Sequence, residues 1–229
     1  MLKTNQSTLA FFIFRPLPDR GVVFARILGI LLVSYIVWLL ASLHWLSFSR
    51  YSMLLAIFVV ASLSSAILMT KYQEILSFLR HHWRLMVGSE CLFVGAFLAF
   101  TALRMANPDL WHPFRGGEKP MDFAYLNAIL RSTYMPPFDP WFAGGYLNYY
   151  YFGQFIVATL IHGTGIVPSV AYNLAVPLLF ALTVTAAYSL VFNITAGLRL
   201  FGLGSCVGGA QPALAATLVS ESGRVPQQS

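Results

Sequence analysis

Polar and apolar positions along this chain separate into long blocks instead of alternating at a strand or amphipathic-helix period. Residues 1–20 are polar and carry Lys3, Arg15 and Arg20, and an apolar run of more than 20 residues follows them. Runs at about 21–43, 51–69 and 85–103 each approach the ~20 residues that cross a ~30 Å hydrocarbon core. Two more, at about 149–167 and 170–194, are also long enough. Within them Gly153, Gly163, Gly165 and Pro177 point to close packing, a kink or frayed ends. The pattern predicts an all-α integral membrane protein with about five transmembrane helices.

Between the third and fourth runs lies one long polar loop, residues 104–148. Inside it, residues 120–131 have the spacing of a short amphipathic helix. Pro120 takes the first helical position, Asp122 lies in the first turn where an acid suits the helix dipole, and Phe123, Leu126, Ile129 and Leu130 share one face. Too short to span, such a helix is expected to lie along the membrane interface. The following stretch, 135–145, holds Pro136, Pro137, Pro140, Gly144 and Gly145 and reads as an ordered, turn-rich crossing.

Composition strengthens the membrane reading. Hydrophobic residues make up 58% of the chain and charged residues 10%, against about 25% charged in soluble domains. The formal charge of +6 would raise nucleic acid as a partner of a soluble protein. Here the bases flank apolar runs, as the positive-inside rule requires, so membrane lipid is the expected partner and nucleic acid is not. Lys3, Arg15 and Arg20 precede the first run, and Lys71, Arg80 and Arg84 separate the second from the third. That asymmetry places the N-terminus in the cytoplasm and loop 104–148 outside. In the loop Arg104, Arg115, Lys119 and Arg131 balance Asp109, Glu118, Asp122 and Asp139. The first run, of more than 20 residues, has no small-residue cleavage site and reads as an uncleaved helix, not a signal peptide.

Cys91 and Cys206 have no partner spacing for a disulfide framework or a metal site. His81 and His82 are adjacent, which turns them to diverging helix faces. The acceptor patterns at Asn5 and Asn193 are common by chance and are assigned no function. Residues 195–229 change character: no aromatic appears after Phe201, and Gly202 onward is expected to add no packed span.

Few groups remain that can carry chemistry. Glu118 and Asp122 stand four apart around Pro120, and paired carboxylates can act as a general base or hold a divalent cation. Their structural alternative is a solvated loop acid beside a helix-capping acid. Arg115 and Lys119 can hold a phosphate or anchor the loop at the interface. Asn148, Tyr149, Tyr150 and Tyr151 lie where the fourth helix enters the bilayer, a level at which tyrosines are enriched as an aromatic belt. Glu90 is the one acid inside a spanning run, and Arg26 is its expected ion-pair partner. Both sit about five residues into their helices, roughly 7 to 8 Å from the start.

Three ordered segments carry a family resemblance: Gly117-Glu118-Lys119-Pro120-Met121-Asp122, then Pro136-Pro137-Phe138-Asp139-Pro140-Trp141, then Asn148-Tyr149-Tyr150-Tyr151-Phe152-Gly153. With Glu90 and Arg104-Met105-Ala106-Asn107-Pro108, they resemble, over about 85–194, the YYY membrane protein family. This is a multispanning bacterial and archaeal domain of unknown function, named for its triple tyrosine. That family looks distantly similar to the GT-C glycosyltransferases, which use polyprenyl-phosphate sugars and place a catalytic acidic motif in an early external loop. The resemblance implies that Glu118 and Asp122 occupy the acidic position, and that the 120–131 helix is the interfacial helix that often follows it. Family members are usually longer, so the chain is expected to be the N-terminal portion of such an enzyme. The rival reading, from another class, is a non-enzymatic membrane scaffold or a transporter subunit. No internal repeat supports transport, which ranks it below a scaffold.

Overall fold

The computed structural model describes residues 13–14, 17–108 and 117–200, with side chains through 197. Six helices occur among them: α1 (Ala25–Ser42), α2 (Arg50–His81), α3 (Trp83–Met105), α4 (Lys119–Arg131), α5 (Phe152–Thr164) and α6 (Pro168–Leu200). No strand forms among the described residues beyond one isolated antiparallel bridge, Phe138 to Tyr146.

Four of these helices, α1, α2, α3 and α6, are long and apolar enough to cross a membrane. Lipid explains how they satisfy physical chemistry. A helix closes its own backbone hydrogen bonds, and side chains that are apolar on every face need no aqueous side. Leu54, Phe58, Leu63, Leu98, Leu179 and Leu190 are accordingly exposed, a pattern that water would penalise.

Several boundaries differ from the expectation. The second helix continues past 69 to His81, with non-helical dihedrals only at Lys71. The intervening segment, 70–74, contains neither Pro nor Gly, so the ladder resumes after a kink although hydropathy has fallen. At about 48 Å, α2 is longer than the hydrocarbon core. Its start is capped reciprocally: Ser52 N–H donates to Ser49 Oγ at 3.4 Å, and Ser49 N–H donates to Ser52 Oγ at 3.1 Å.

The fourth apolar run yields only the 13 residues of α5, too few to span. It starts at Phe152, after the three tyrosines, and stops at Gly165, whose φ of 71° closes the helix with a bond from its N–H to the Ile161 carbonyl. No atom lies within 4 Å of where a Gly165 Cβ would stand, so the demand on glycine is purely conformational. Gly165→Ala should therefore cost about 1 to 2 kcal/mol through the left-handed backbone alone. Thermal unfolding in detergent measures this, and an unchanged midpoint would show that the cap can rearrange.

The chain forms two compact units. One takes residues 27–62 and 97–180. Its core joins Val37 and Ala41 of α1, Phe48 just before α2, Met53 and Ala56 of α2, Leu126 and Ile129 of α4, and Phe155, Ala158 and Ile161 of α5. The apolar face of α4, expected against lipid, is thus closed by protein. Leu126 and Ile129 are fully buried, Tyr125 joins them, and Phe123 and Leu130 pack at the edge. Gly163 permits α5 to approach α2 closely, because a Cβ there would meet Met53 Sδ at 3.0 Å.

The other unit takes the described parts of 1–26, 63–96 and 181–229. Ile75 and Phe78 form its small apolar core with Val22, Leu68 and Leu79. Around it lie polar ties: Arg20 to Glu74 at 2.6 Å and Arg26 to Glu90 at 2.5 Å. Asp19 is fully buried. It accepts from Ser189 Oγ at 2.5 Å and from Gly21 N–H at 2.9 Å, while its own N–H donates to Asn193 Oδ1 at 3.1 Å. His82 stacks on Phe78, and burial pushes its imidazole below the usual histidine range, with the charges of His81 and Arg20 adding to the effect. A largely neutral ring at neutral pH follows.

Candidate functional site

Asp122 is the acidic residue that the fold holds in place. α4 begins at Lys119 with Pro120 in its first turn, and Asp122 N–H donates to the Glu118 carbonyl at 2.9 Å. One turn of helix therefore fixes the backbone of both acids. The Asp122 side chain does not cap its own helix. It turns toward α5 and α6, where Oδ1 accepts from Gln154 Nε2 at 3.1 Å and the carboxylate faces the Tyr172 hydroxyl. Asp122 is half-buried, whereas Glu118, at the N-cap position, is exposed and makes no side-chain cap bond.

Tyrosines surround these carboxylates. Burial pushes the Tyr125 phenol above its ordinary range, and the negative charges of Asp139 and Asp122 push it further. The Tyr149 hydroxyl donates to the Tyr150 hydroxyl at 2.9 Å, and this bond is the main cause of a Tyr149 pKa pushed up to about 12, with burial and then the nearby charges of Tyr150 and Glu118 contributing. Tyr149 is consequently a neutral hydrogen-bonding group at physiological pH and not a base. The triple tyrosine, which reads as one feature in sequence, is divided. Tyr149 and Tyr150 lean on each other, with ring centroids 4.0 Å apart, whereas the Tyr151 hydroxyl accepts from Trp38 Nε1 at 3.0 Å and serves as the N-cap residue of α5. Together with Tyr35, Trp38 and Phe152 the three tyrosines line an almost wholly apolar groove of about 340 Å³.

The remaining candidates are less gathered. Lys119 is half-buried in the first turn of α4, and Asn148 is exposed beside the tyrosines. Arg115 lies outside the described residues, as does the segment from Gly202 onward. Arg26 and Glu90 meet in the other unit, where the Arg26 guanidinium also lies 3.7 Å from the centroid of the Phe93 ring. Among the described residues no group of three carboxylate, histidine or cysteine side chains is placed to hold a metal. Glu118 and Asp122 alone fall short of the 6–8 oxygen ligands a calcium ion takes, and no step is assigned to a cation.

Sequence reasoning missed three partners. Gln154 and Tyr172 reach Asp122 from 32 and 50 positions away, and Asp139 is brought near Tyr125 by the hairpin of the Pro-rich crossing. In that hairpin Asp139 N–H donates to the Gly145 carbonyl at 2.9 Å, and Asp139 Oδ1 accepts from Trp141 N–H at 2.8 Å. A cavity of about 870 Å³ opens beside it, lined by His44, Asn127, Arg131, Asp139 and Tyr146 among others. The readable signal for the hairpin is the Pro-Phe-Asp-Pro run followed by paired glycines. The contact to Gln154 leaves none.

Four membrane-length helices and a polar centre carried by a non-spanning helix define a helical integral membrane protein. Within that class the chain belongs to the uncharacterized membrane protein family DUF2298, whose profile matches residues 32–225. The match reaches well beyond 85–194 at both ends and takes in most of the segment after 194. No curated protein and no solved structure matches the chain.

Proposed function

We propose that this chain belongs to a GT-C-like membrane glycosyltransferase that uses a polyprenyl-phosphate-linked sugar at the outer face of the membrane. The observation that supports it best is the Asp122 carboxylate, oriented by Gln154 from a second helix, in the same unit as an apolar groove that the tyrosines line. In this reading Asp122, or Glu118, takes the proton of an acceptor hydroxyl. The acceptor oxygen attacks the anomeric carbon, and the bond from that carbon to the phosphate oxygen breaks. The polyprenyl phosphate leaves with the bonding pair, its charge met by Lys119 and Arg115. The groove beside Tyr149, Tyr150 and Tyr151 receives the lipid tail. A reconstituted, intact protein supplied with polyprenyl-phosphate sugars and acceptors tests this. Transfer that survives both Glu118→Gln and Asp122→Asn at near wild-type rate removes the catalytic assignment and leaves the scaffold reading.

The same reading sets a topology, with the N-terminus and residues 71–84 cytoplasmic and loop 104–148 external, because positive charge resists translocation. In a background without Cys91 and Cys206, cysteine at the exposed position Ala143 should be labelled by an impermeant reagent from outside only, and cysteine at Gln73 from the cytoplasmic side only. The reverse pattern overturns the orientation.

A further inference from the structure

α3 and α6 leave a second, smaller cavity between them, of about 180 Å³, lined by Thr101, Arg104 and Met105 from one helix and by Val170, Asn173 and Leu174 from the other. Among the described residues, six buried side-chain polar atoms lack a hydrogen-bond partner, and three of them belong to residues lining this one cavity: Thr101 Oγ1, Arg104 Nε and Asn173 Oδ1. Buried polar groups are normally paired, so their clustering points to a missing partner more than to chance.

The donors and acceptors are fixed by what the same side chains already do. Arg104 Nη1 donates to the Asn107 carbonyl at 3.1 Å, which ties the guanidinium to the end of α3 and leaves Nε–H free. Asn173 Nδ2 donates to the Pro108 carbonyl at 3.3 Å and to the Ser169 carbonyl at 3.1 Å, so Oδ1 is the open acceptor. The Thr101 hydroxyl can donate. A cationic donor, a neutral donor and an acceptor therefore face one space, and no salt bridge to Arg104 occurs among the described residues. A single water cannot neutralise the guanidinium, and the cavity is several times the ~30 Å³ share of one water. It is smaller than the ~300 Å³ at which sites for drug-sized ligands begin, so it fits a head group and not a whole substrate.

We propose that this cavity binds a phosphate group. Its anionic oxygens accept from Arg104 Nε–H and Thr101, and a protonated phosphate oxygen or neighbouring hydroxyl donates to Asn173 Oδ1. The surroundings favour a lipid as the source. Leu103, Met105, Val167 and Val170 are exposed around the two helix ends, and an arginine at the end of a spanning helix reaches the level of lipid phosphates. This site adjoins the acidic centre through Tyr172, which hydrogen-bonds with Asp122 and also feels the Arg104 charge, but its binding of phosphate does not depend on the transferase reading.

The test measures binding to the purified protein in neutral detergent by native mass spectrometry and thermal shift. The probes are dioctanoyl phosphatidic acid, dioctanoyl phosphatidylcholine and inorganic phosphate. Phosphatidic acid should bind, and Arg104→Gln should weaken it about tenfold or more, as expected for a charge-assisted hydrogen bond. Thr101→Val removes an orphaned polar atom that makes no other hydrogen bond. It should weaken binding several-fold while holding or raising the melting temperature of the ligand-free protein, a combination that loss of folding cannot produce. Displacement of the lipid by inorganic phosphate identifies a small anion as sufficient; its failure to displace, with phosphatidic acid still bound, identifies a membrane lipid. Absence of binding by both phosphate probes overturns the proposal. So does an equal loss in Arg84→Gln, which would reduce the effect to general charge, or equal binding of phosphatidylcholine that Arg104→Gln leaves unchanged. No transfer activity is read, so the result stands whatever becomes of the enzymatic assignment.

Discussion

Asp122→Asn should lower sugar transfer by about 10²- to 10⁴-fold, the usual contribution of a general base, while changing stability by no more than about 1 kcal/mol. The two effects separate because asparagine keeps the shape of the side chain and an acceptor oxygen, so the 3.1 Å bond from Gln154 Nε2 persists. Only the capacity to take a proton is lost. Gln154→Leu makes the opposite change, retaining the carboxylate but releasing it from α5. That variant should lose activity by about tenfold, a positioning effect smaller than removal of the base. Equal and small losses in both variants would mean that Asp122 ties α4 to α5 and does no more.

How much of this was legible in the sequence follows from the kind of interaction involved. Lipid imposes a length and a uniform apolarity on any helix that crosses it, so the long runs near 21–43, 51–69, 85–103 and 170–194 locate α1, α2, α3 and α6. Hydropathy does not mark where a hydrogen-bond ladder ends. α2 proceeds through Lys71 into polar residues that favour helix as well as the apolar ones do, and α5 is cut short within an apolar stretch by the tyrosines before it and Gly165 after it. The 3.6-residue period placed Leu126 and Ile129 on one face of α4, but which body covers that face is a tertiary matter, and α5 covers it. The candidate site divides along the same line. The spacing of Glu118 and Asp122 is local and readable from Pro120 onward. Gln154, Tyr172 and Asp139 arrive through packing of elements distant in the chain, and the parting of Tyr151 from its two neighbours depends on Trp38, which no motif connects to it.

The second large effect concerns Arg26 and Glu90, where removing either partner should cost up to roughly 2 to 3 kcal/mol, at or below the insertion-scale cost of about 2.5 to 3.5 kcal/mol for a charge at the helix centre. Protein leaves 27% of the Arg26 side chain and 40% of the Glu90 side chain uncovered. In a bilayer that remainder meets lipid or the interface, so each charge depends on the other more than a comparable pair in water would. Glu90→Gln strands a guanidinium that still has the Phe93 ring 3.7 Å from its carbon, and the ring recovers part of the loss. Arg26→Gln removes the cation 2.5 Å from the Glu90 carboxylate. The double variant Arg26→Gln with Glu90→Gln removes both charges and should recover about 1 to 2 kcal/mol relative to the sum of the single changes. Unfolding of the purified protein in mixed micelles gives all four corners of the cycle. Plain additivity would mean that the 2.5 Å contact contributes nothing to holding α3 against the start of α1.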